Sequence, residues 1–513
     1  FLRRDAGIIG HGLKKLIRSL LALDFPTPKI IMDTEIAAYL LNPSRNSYLL
    51  NDLLQEYAKL SVQTGSGIPE GQLDLDSQGD SNMQQIAIEA ASIALLHKPL
   101  EDLLKEEGLE QLNNEIELPL INVLAEMEFS GIQVDLEGLK RLRDRLESEV
   151  SNIRKKVHQL AGQEFNVNST KQLQQVLFTD LNLEPRKKTK TGFSTDAQTL
   201  EKMRGDHPII EELLEYREVE KLRSTYGQGL LNEVGSDERI RATFHQTVTA
   251  TGRLSSVSPN LHNIPVRTEK GKVFREVFVA QNNHRLLVAD YNQIELRCIA
   301  HLSSDPGLIN AFNDGQDIHT ATAAQVFGVK DADVTKAQRE KAKMVSYGLA
   351  YGMEAYGLAQ RLGIENKEAA KILNDYFSAF PSVREYMDNA VNQAKEKGFT
   401  ETLFGRKRKI PELKSSNSRV RSAAERQAMN AGIQGLAADI FKVALVNLNK
   451  RLKDDNLDSA IILQVHDEVI LECPMDELAH AKELTLEEME SAFNLKVPLE
   501  VHMSSGMTWA EAK

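Results

Sequence analysis

The sequence is poor in cysteine. Only Cys298 and Cys473 occur in 513 residues, and they form no CxxC pair. This scarcity excludes a disulfide framework and a zinc site built from cysteine pairs. We therefore expect a protein of a reducing compartment, which predicts a cytoplasmic location.

Long apolar runs are also missing. No uninterrupted apolar stretch approaches the roughly 18 to 20 residues of a membrane-spanning helix, so we expect no membrane association. No GxxxxGK[ST] motif is present, which excludes a P-loop nucleotide site. The chain starts at Phe1 without a methionine or a signal-peptide pattern, and we expect it to be a piece of a longer protein.

Positive charge is in deficit. The chain has 62 Lys and Arg against 74 Asp and Glu, a net charge of −12, which by itself argues against a polyanionic partner. The basic residues are clustered, however, at 186–190 (RKKTK) and 406–409 (RKRK). Each cluster alone is typical of a solvated loop, but the two together are compatible with a ligand that has a phosphate backbone.

The order of patterns along the chain predicts the fold class. Residues 61–85 are rich in Gly, Ser, Gln and Asp, which is typical of a loop or linker. Apolar residues at helical spacing predict helices over 136–162 and about 208–225. Strand and turn patterns occupy 243–290 and 461–501, and helical patterns lie between them.

One sheet built from both strand regions, with helices inserted between them, is the simplest arrangement, so we predict an α+β fold. Its closing strand is predicted over 497–501.

Two carboxylates occur at the ends of apolar strand patterns. Asp290 ends the apolar run in LLVADYNQIELR (286–297), and Asp467 lies at the tip of a predicted hairpin in IILQVHDEVILE (461–472). Two aspartates that meet at a sheet edge can hold two Mg²⁺ ions for phosphoryl transfer. The alternative is that both are ordinary turn residues.

A helical stretch, REKAKMVSYGLAYG (339–352), carries two cations followed by two aromatic rings. Arg339, Lys343, Tyr347 and Tyr351 are four residues apart, so they share one helix face with a slow drift. The rise of about 12 Å from Arg339 to Tyr347 matches the reach from a triphosphate to a sugar and base. This pattern predicts a nucleotide cradle, and the alternative is a basic solvated stripe.

These stretches and four others resemble the family-A DNA polymerases and occur in the family's order. The others are TATGRLSSVSPNLHNIPVRT (249–268), QDIHTATAAQVFGV (316–329), ETLFGRKRKIP (401–411) and ERQAMNAGIQGLAAD (425–439). The resemblance covers nearly the whole chain and is strongest from about 245 onward. It implies a right-hand polymerase, with a thumb at 113–242, a palm at 243–302 and 431–513, and fingers at 303–430.

The resemblance also implies roles for individual residues. Two Mg²⁺ ions, for which Mn²⁺ can substitute, are held by Asp290, Asp467 and the carbonyl of Tyr291, with Glu468 as a supporting carboxylate and Lys343 in the catalytic set. The incoming nucleotide is bound by Arg339, Lys343, Tyr347, His319, Gln293, Glu295 and Tyr351, and Glu295 excludes a 2′-OH. Primer and template are contacted by Arg253, Asn263, Arg267, Arg426, Asn430, Gln434 and His466, mostly in the minor groove, where the acceptors are nearly sequence-independent.

The N-terminal part, 1–112, resembles the 3′→5′ exonuclease domain of the same family. The resemblance rests on DTEIAAYLLNP (33–43) and EAASIALLHKPL (89–100). The family's metal-binding and catalytic side chains are replaced at Gly12, Leu16, Ile86 and Ala90. This part is therefore expected to be an incomplete, ribonuclease-H-like remnant without nuclease activity, acting as a platform.

Three positions depart from the commoner family residues. His262 replaces Gln and Leu436 replaces Thr near predicted DNA contacts, and Tyr347 replaces the Phe of many bacterial members. Neither His262 nor Leu436 is predicted to touch the metal site.

The resemblance therefore implies a monomeric DNA polymerase without proofreading that acts in the bacterial cytoplasm, in association with the nucleoid. Its partners are primer–template DNA and dNTPs. Two alternatives are a catalytically silent DNA-binding protein and a two-metal nuclease. Four residues that serve catalysis, Asp290, Asp467, Arg339 and Lys343, argue against the first, and the replaced exonuclease carboxylates argue against the second.

Overall fold

Helices and short strands alternate along the chain. The computed structural model describes residues 7–61, 78–189, 192–264 and 269–513. Within these ranges the predicted α+β class is confirmed. The strands are β1 (Gly7–Gly10), β2 (Lys29–Asp33), β3 (Ile132–Gln133), β4 (Lys188–Thr189), β5 (Gly192–Phe193), β6 (Arg239–Ile240), β7 (Thr243–His245), β8 (Ser255–Val257), β9 (His284–Tyr291), β10 (Phe399–Glu401), β11 (Lys407–Lys409), β12 (Ala460–Val465), β13 (Glu468–Pro474) and β14 (Val501–Gly506).

The α-helices of the described residues make up most of the regular structure. They are α1 (Lys14–Ala22), α2 (Thr34–Leu41), α3 (Leu50–Leu53), α4 (Gln78–Glu106), α5 (Glu110–Leu112), α6 (Leu118–Ser130), α7 (Leu136–Ala161), α8 (Thr170–Gln175), α9 (Ala197–Glu201), α10 (Pro208–Lys221), α11 (Gly229–Glu233), α12 (Glu269–Glu276), α13 (Ile294–Ser303), α14 (Pro306–Asn313), α15 (Ile318–Phe327), α16 (Lys336–Ala350), α17 (Ala355–Leu362), α18 (Asn366–Ala379), α19 (Pro381–Lys397), α20 (Ser418–Asp454) and α21 (Leu478–Glu490).

The chain divides into two compact units. The first contains 1–130, 243–257 and 283–505, and the second contains 131–242, 258–282 and 506–513. The predicted thumb, 113–242, starts earlier than the second unit, which starts at 131. Helix α6 lies in the predicted thumb but belongs to the first unit, where it packs on β12 and α20. The division does not separate the predicted palm from the predicted fingers, so those boundaries stay predictions.

A four-stranded sheet lies at the centre of the first unit. Its order is β12-β13-β9-β14, and β13 pairs antiparallel with both β12 and β9. Leu286, Leu287, Val288 and Ala289 of β9 are all buried. Successive side chains of a strand point to opposite faces, so a continuous apolar run needs cover on both. Helices α6, α20 and α21 pack against strands of this sheet.

Two strand predictions need correction. The predicted closing strand, 497–501, is irregular up to residue 500, and β14 starts where the prediction ended. Pro498 lacks the N–H that a ladder needs, which explains the later start. The first predicted strands, now β7 and β8, form a separate two-stranded sheet and do not join the central one.

The helix predictions for the second unit hold. Helix α7 starts after Asp135, whose side chain accepts the Gly138 N–H, and ends at Gly162, whose φ of 70° closes the last turn. Helix α10 continues after Lys221 as wider π-helical turns through Gln228. The predicted linker, 61–85, lies mostly outside the described residues, but α4 begins within it at Gln78.

One helix of the described residues, α20, is long and apolar enough to cross a membrane by length and composition alone. Its apolar window is 78% buried inside the protein, as expected of a core helix. The sequence prediction rested on uninterrupted apolar runs. The mean hydropathy of an 18-residue window can be high even when the window contains a charged residue, as in α20. Both cysteines are buried and unpaired with each other.

A buried cluster of charges joins α20 to the segment before α6. Glu117 accepts hydrogen bonds from Lys442 Nζ at 2.7 Å and from the Arg406 guanidinium, and Arg406 Nε donates to Asp439 at 2.7 Å. Glu117 and Asp439 are fully inaccessible to solvent. Burial opposes ionisation of Glu117, but the two cations prevail and lower its pKa from 4.5 to about 2.

Replacing Glu117 by Gln is expected to lower the free energy of unfolding at pH 7 by about 3 kcal/mol, because buried Lys442 loses the carboxylate that it bonds and Arg406 keeps only Asp439. The lowered pKa stabilises the fold above pH 4.5, and this contribution is lost between pH 4.5 and about 2. Denaturant unfolding across this range should therefore show a smaller loss of stability in Glu117→Gln than in wild type.

Glu126→Gln is the matched control for this prediction, because Glu126 pairs with the half-exposed Lys453 on the surface of the same unit. Its expected effect is at most about 1 kcal/mol. Equal effects of the two substitutions would contradict a stabilising role of the buried cluster.

Candidate active site

The ends of two paired strands place the backbones of Asp290 and Asp467 at the same edge of the sheet. Asp290 lies opposite Glu468 in the register of β9 and β13. The Tyr291 N–H donates to the carbonyl oxygen of Asp467 at 3.2 Å. The adjacency expected from the sequence is therefore present at this edge of the sheet, while the metal-binding role of the pair stays a prediction.

A two-residue turn places the polar tip of the β12–β13 hairpin. His466 is exposed and has a φ of 55°, a left-handed conformation that reverses the chain at once. The side-chain amide of Gln464 donates to the His466 carbonyl oxygen. Glu468 is already within β13 and only 2% exposed. At the tip, His466 is thus exposed, Asp467 is partly buried and Glu468 is buried.

The carboxylates of the site are short of compensating positive charge. Burial raises the pKa of Asp467, although nearby Arg253 and His466 act in the opposite direction. Burial likewise raises the pKa of Glu295, which is 4% exposed and accepts a hydrogen bond from the Arg253 guanidinium. A cation bound here would remove this penalty.

The cation-bearing helix, α16, faces these carboxylates. A capping box of Thr335 and Gln338 fixes its start. Burial raises the pKa of Tyr347, and the next largest contributions come from the negative charges of Glu295 and Asp467. The phenol therefore lies within electrostatic range of the carboxylates and stays protonated. Tyr351 follows the last turn and interacts with Arg253 and Glu295.

The sequence prediction did not single out Asp317, which holds Arg339. Asp317 Oδ2 accepts from Arg339 Nη2 at 2.7 Å and from Nε at 3.2 Å. Its other oxygen caps α15 by accepting the N–H groups of His319 and Thr320, both at 2.9 Å. An aspartate directly before an apolar helix is a recognisable cap signal, but nothing in the pattern indicates its second partner.

His319 is a neutral, buried imidazole beside Tyr347. Its side chain is 3% exposed, and the two rings are 5.6 Å apart. Burial lowers the pKa of His319 to about 4; Asp317 opposes this shift and Lys343 adds to it. Within the described residues, His319 Nδ1 is buried without a hydrogen-bond partner. Gln293, with a φ of 57°, directly precedes α13 and Glu295.

The predicted DNA contacts are divided between the two units. Arg426, Asn430 and Gln434 lie four residues apart on one half-buried face of α20. The Asn430 amide oxygen has no hydrogen-bond partner in the described part of the chain. Asn263 belongs to the second unit, where its carbonyl accepts from the Tyr226 hydroxyl. Arg267 lies outside the described residues.

The residues of the site fit hard divalent cations. Among the described residues, no group of three or more His, Cys, Asp or Glu side chains could hold a metal by itself. Asp290 and Asp467 supply oxygen donors, and burial leaves the Asp467 charge undercompensated. Mg²⁺ is typically held by one or two carboxylates together with substrate phosphates, so a sparse pair is the donor set that it requires.

Comparison with known proteins shows the family of the chain. The model of DNA polymerase family A matches residues 136–511. The chain belongs to this family, which confirms the resemblance found in the sequence.

The DNA polymerase I of Caldicellulosiruptor bescii is 44% identical over 516 residues, covering 100% of this chain and 58% of that protein. The DNA polymerase I of Geobacillus stearothermophilus is 44% identical over 487 residues, covering 94% of this chain and 56% of that protein. The chain thus spans less than two thirds of these relatives.

A solved structure has the same fold over almost the whole chain. It is the POL domain of Pol1 from M. smegmatis in complex with DNA primer-template and dNTP. The TM-score is 0.91 at 41% sequence identity, with 98% of this chain and 86% of that chain covered. The polymerase-domain fold is therefore shared, and the roles of the individual site residues stay predictions.

Proposed function

We propose that this protein is a template-directed DNA polymerase that adds dNTPs to the 3′-OH of a primer. The observation that carries the proposal is the adjacency of Asp290 and Asp467 at the sheet edge, within electrostatic range of Tyr347 on the cation-bearing helix α16. The primer–template and dNTP bound to the M. smegmatis POL domain support the same assignment.

Asp290, Asp467 and the Tyr291 carbonyl would hold two Mg²⁺ ions, with Mn²⁺ as a substitute and Glu468 as a supporting carboxylate. When bound, a divalent cation pair stabilises the charge on the attacking and leaving oxygens of phosphoryl transfer. In the reaction, a bond forms between the primer 3′-oxygen and the α-phosphorus, and the bond from that phosphorus to pyrophosphate breaks. The proton of the 3′-OH is released to solvent.

The residues of α15 and α16 bind the triphosphate. Asp317 accepts from one side of the Arg339 guanidinium. The remaining N–H groups of Arg339 donate charge-assisted hydrogen bonds to the phosphate oxygens. Lys343 lies one turn further and neutralises charge on the leaving pyrophosphate. His319 is neutral at pH 7 and acts as a hydrogen-bond donor, and Gln293 completes the phosphate contacts.

The sugar and base are selected by shape. Glu295 is buried and held by Arg253, so it leaves no room for a 2′-OH. Tyr347 lies beside the sugar, and the half-exposed Tyr351 stacks near the template base.

Arg253, Asn263, Arg267, Arg426, Asn430, Gln434 and His466 contact the primer and template, mostly in the minor groove. The unsatisfied amide oxygen of Asn430 supports a polar partner at that face. The basic segment 186–190 is proposed to grip the duplex backbone, although Lys190 lies outside the described residues. This enzyme is proposed to act as a monomer in the bacterial cytoplasm, in association with the nucleoid.

Residues 1–112 are proposed to be a ribonuclease-H-like exonuclease remnant without nuclease activity. Leu16 is 41% exposed and Ile86 is 61% exposed, so apolar side chains face solvent at two positions aligned with exonuclease catalytic residues. Together with Gly12 and Ala90, they provide no carboxylate for the two metals that this nuclease chemistry needs.

Primer extension tests the whole proposal. With Mg²⁺ and dNTPs, a 5′-labelled primer should lengthen as the template directs, and chelation should abolish extension. Without dNTPs, a 3′-mismatched primer should keep its length. Binding without extension would support the silent DNA-binding alternative, and Mg²⁺-dependent shortening would support the nuclease alternative.

A further inference from the structure

Helix α2 contacts the segment that carries Arg253. The Tyr39 hydroxyl, fully buried, donates to the carbonyl oxygen of Thr249 at 2.8 Å. One turn earlier, Glu35 Oε1 accepts from the Thr247 hydroxyl at 2.9 Å. The α2 sequence is part of DTEIAAYLLNP, a motif to which the proposed reaction gives no role.

Both contacts come from one face of α2. Glu35 and Tyr39 are four residues apart on one helix face, which corresponds to a rise of about 6 Å. Thr247 and Thr249 are two residues apart in a non-helical segment that bends at 246–248. One helix face therefore holds two alternate residues of the segment at the same time.

The next contacts lead to the candidate active site. The Thr249 hydroxyl donates to the carbonyl oxygen of Arg253 at 2.6 Å, and the Arg253 guanidinium donates to Glu295. Gly252, which lies between Thr249 and Arg253 in the chain, has a φ of 84°. It packs so closely that a Cβ at this position would lie 2.6 Å from Arg406 Nε. Arg406 is held by Glu117 and Asp439 in the buried charge cluster, so the side chain against which Gly252 packs has a fixed position.

We propose that Tyr39, supported by Glu35, is a positioning residue that fixes the 247–253 segment and thereby the guanidinium of Arg253. Helix α2 thus contributes to the polymerase site without touching substrate. The catalytic consequence rests on the proposed polymerase function, because Arg253 is assigned there to primer–template contact. The ordering of the segment does not rest on it.

Tyr39→Phe removes the hydroxyl and keeps the buried ring. Hydrogen exchange of the amides in 247–253 should become about three- to tenfold faster, as expected for the loss of one ordinary hydrogen bond. The kcat/KM of dNTP incorporation should fall by a similar factor. Thr247→Val removes the second contact from the side of the segment, leaves the core around α2 intact and should act in the same direction.

Tyr48→Phe is the matched control. Tyr48 is 7% exposed, its ring lies edge-on to Tyr39 at 6.0 Å, and its hydroxyl donates to the Asn42 carbonyl oxygen at 2.9 Å. The same type of hydrogen bond is lost in the same core, but the bond does not reach the segment. Exchange in 247–253 and kcat/KM should stay within about twofold of wild type.

A double-mutant cycle distinguishes positioning from a general loss of stability. If Tyr39 acts through Arg253, adding Tyr39→Phe to Arg253→Ala should change kcat/KM by less than about twofold. Full additivity of the two substitutions, or exchange in Tyr39→Phe equal to that in Tyr48→Phe, would overturn the proposal. If Tyr39→Phe does not fold, the same two comparisons with Thr247→Val decide the matter.

Failure of the proposed function would look different. A wild-type protein that does not extend a primer would remove the polymerase assignment, and hydrogen exchange would still test whether Tyr39 orders the segment.

Discussion

Asp290→Asn and Asp467→Asn are each expected to lower primer extension by about 10³-fold or more. Asparagine keeps the size of the side chain but removes the negative charge that a divalent cation needs, and electrostatic groups at a reacting centre have effects of this order. Primer–template affinity should stay within about tenfold, because the phosphate and minor-groove contacts proposed to hold the duplex are made by other residues. Single-turnover extension and equilibrium DNA binding measure the two quantities.

The stability of these variants provides an independent check. Burial raises the pKa of Asp467, so the folded protein disfavours its charged form at pH 7. Asp467→Asn should therefore unfold at the same temperature as wild type or a higher one, while losing activity. Loss of activity together with a fall in unfolding temperature would point to structural damage instead.

Asp476→Asn makes the same charge change at the exposed turn that follows β13 and serves as the control. It should extend primers like wild type. Near-wild-type extension by Asp290→Asn or Asp467→Asn would remove that residue from the proposed metal site.

The sequence allowed the sheet edge to be predicted because strand patterns are local. The apolar run before Asp290 and the interrupted hairpin around Asp467 each indicate where a strand ends, and one sheet built from both is the simplest arrangement that buries them. The same reasoning failed at 497–501, where the apolar pattern is present but Pro498 prevents regular pairing.

The partners of polar residues that are far apart in the sequence could not be predicted in this way. Arg406 and Glu117 are 289 positions apart, and Tyr39 reaches Thr249 across 210 positions. No periodicity relates such pairs, and a polar residue in a pattern indicates a need for a partner without naming one. Asp317 was missed for this reason, although its capping role was visible in the sequence.

Tyr347 combines both kinds of information. Its spacing from Arg339 predicted a place beside the nucleotide sugar. The structure adds that its ring lies 5.6 Å from His319 and that burial and nearby carboxylates raise the pKa of its phenol. The hydroxyl therefore keeps its proton at neutral pH and remains a hydrogen-bond donor. The alternative is that the ring only packs against the helix.

We expect wild-type protein to use dideoxynucleotides nearly as well as dNTPs, and Tyr347→Phe to discriminate against them by tenfold to about a thousandfold. With Phe, the substrate's own 3′-OH has to supply the polar contact toward the triphosphate, so its absence is felt. With Tyr, the phenol supplies that contact instead. One hydrogen bond in a closed site is worth about 1–3 kcal/mol, or roughly 5- to 150-fold, and a charged acceptor such as a phosphate extends this range.

Competition between ddTTP and dTTP in single-turnover extension measures this discrimination directly. Tyr356→Phe, at a position that is 67% exposed on α17, makes the same substitution away from the site and should leave the ratio unchanged. Equal ratios for wild type and Tyr347→Phe would show that the phenol does not replace the 3′-OH. The ring would then serve only to pack against His319. The proposed selection at the sugar would rest on Glu295 and the 2′ position, without a contact at the 3′ position.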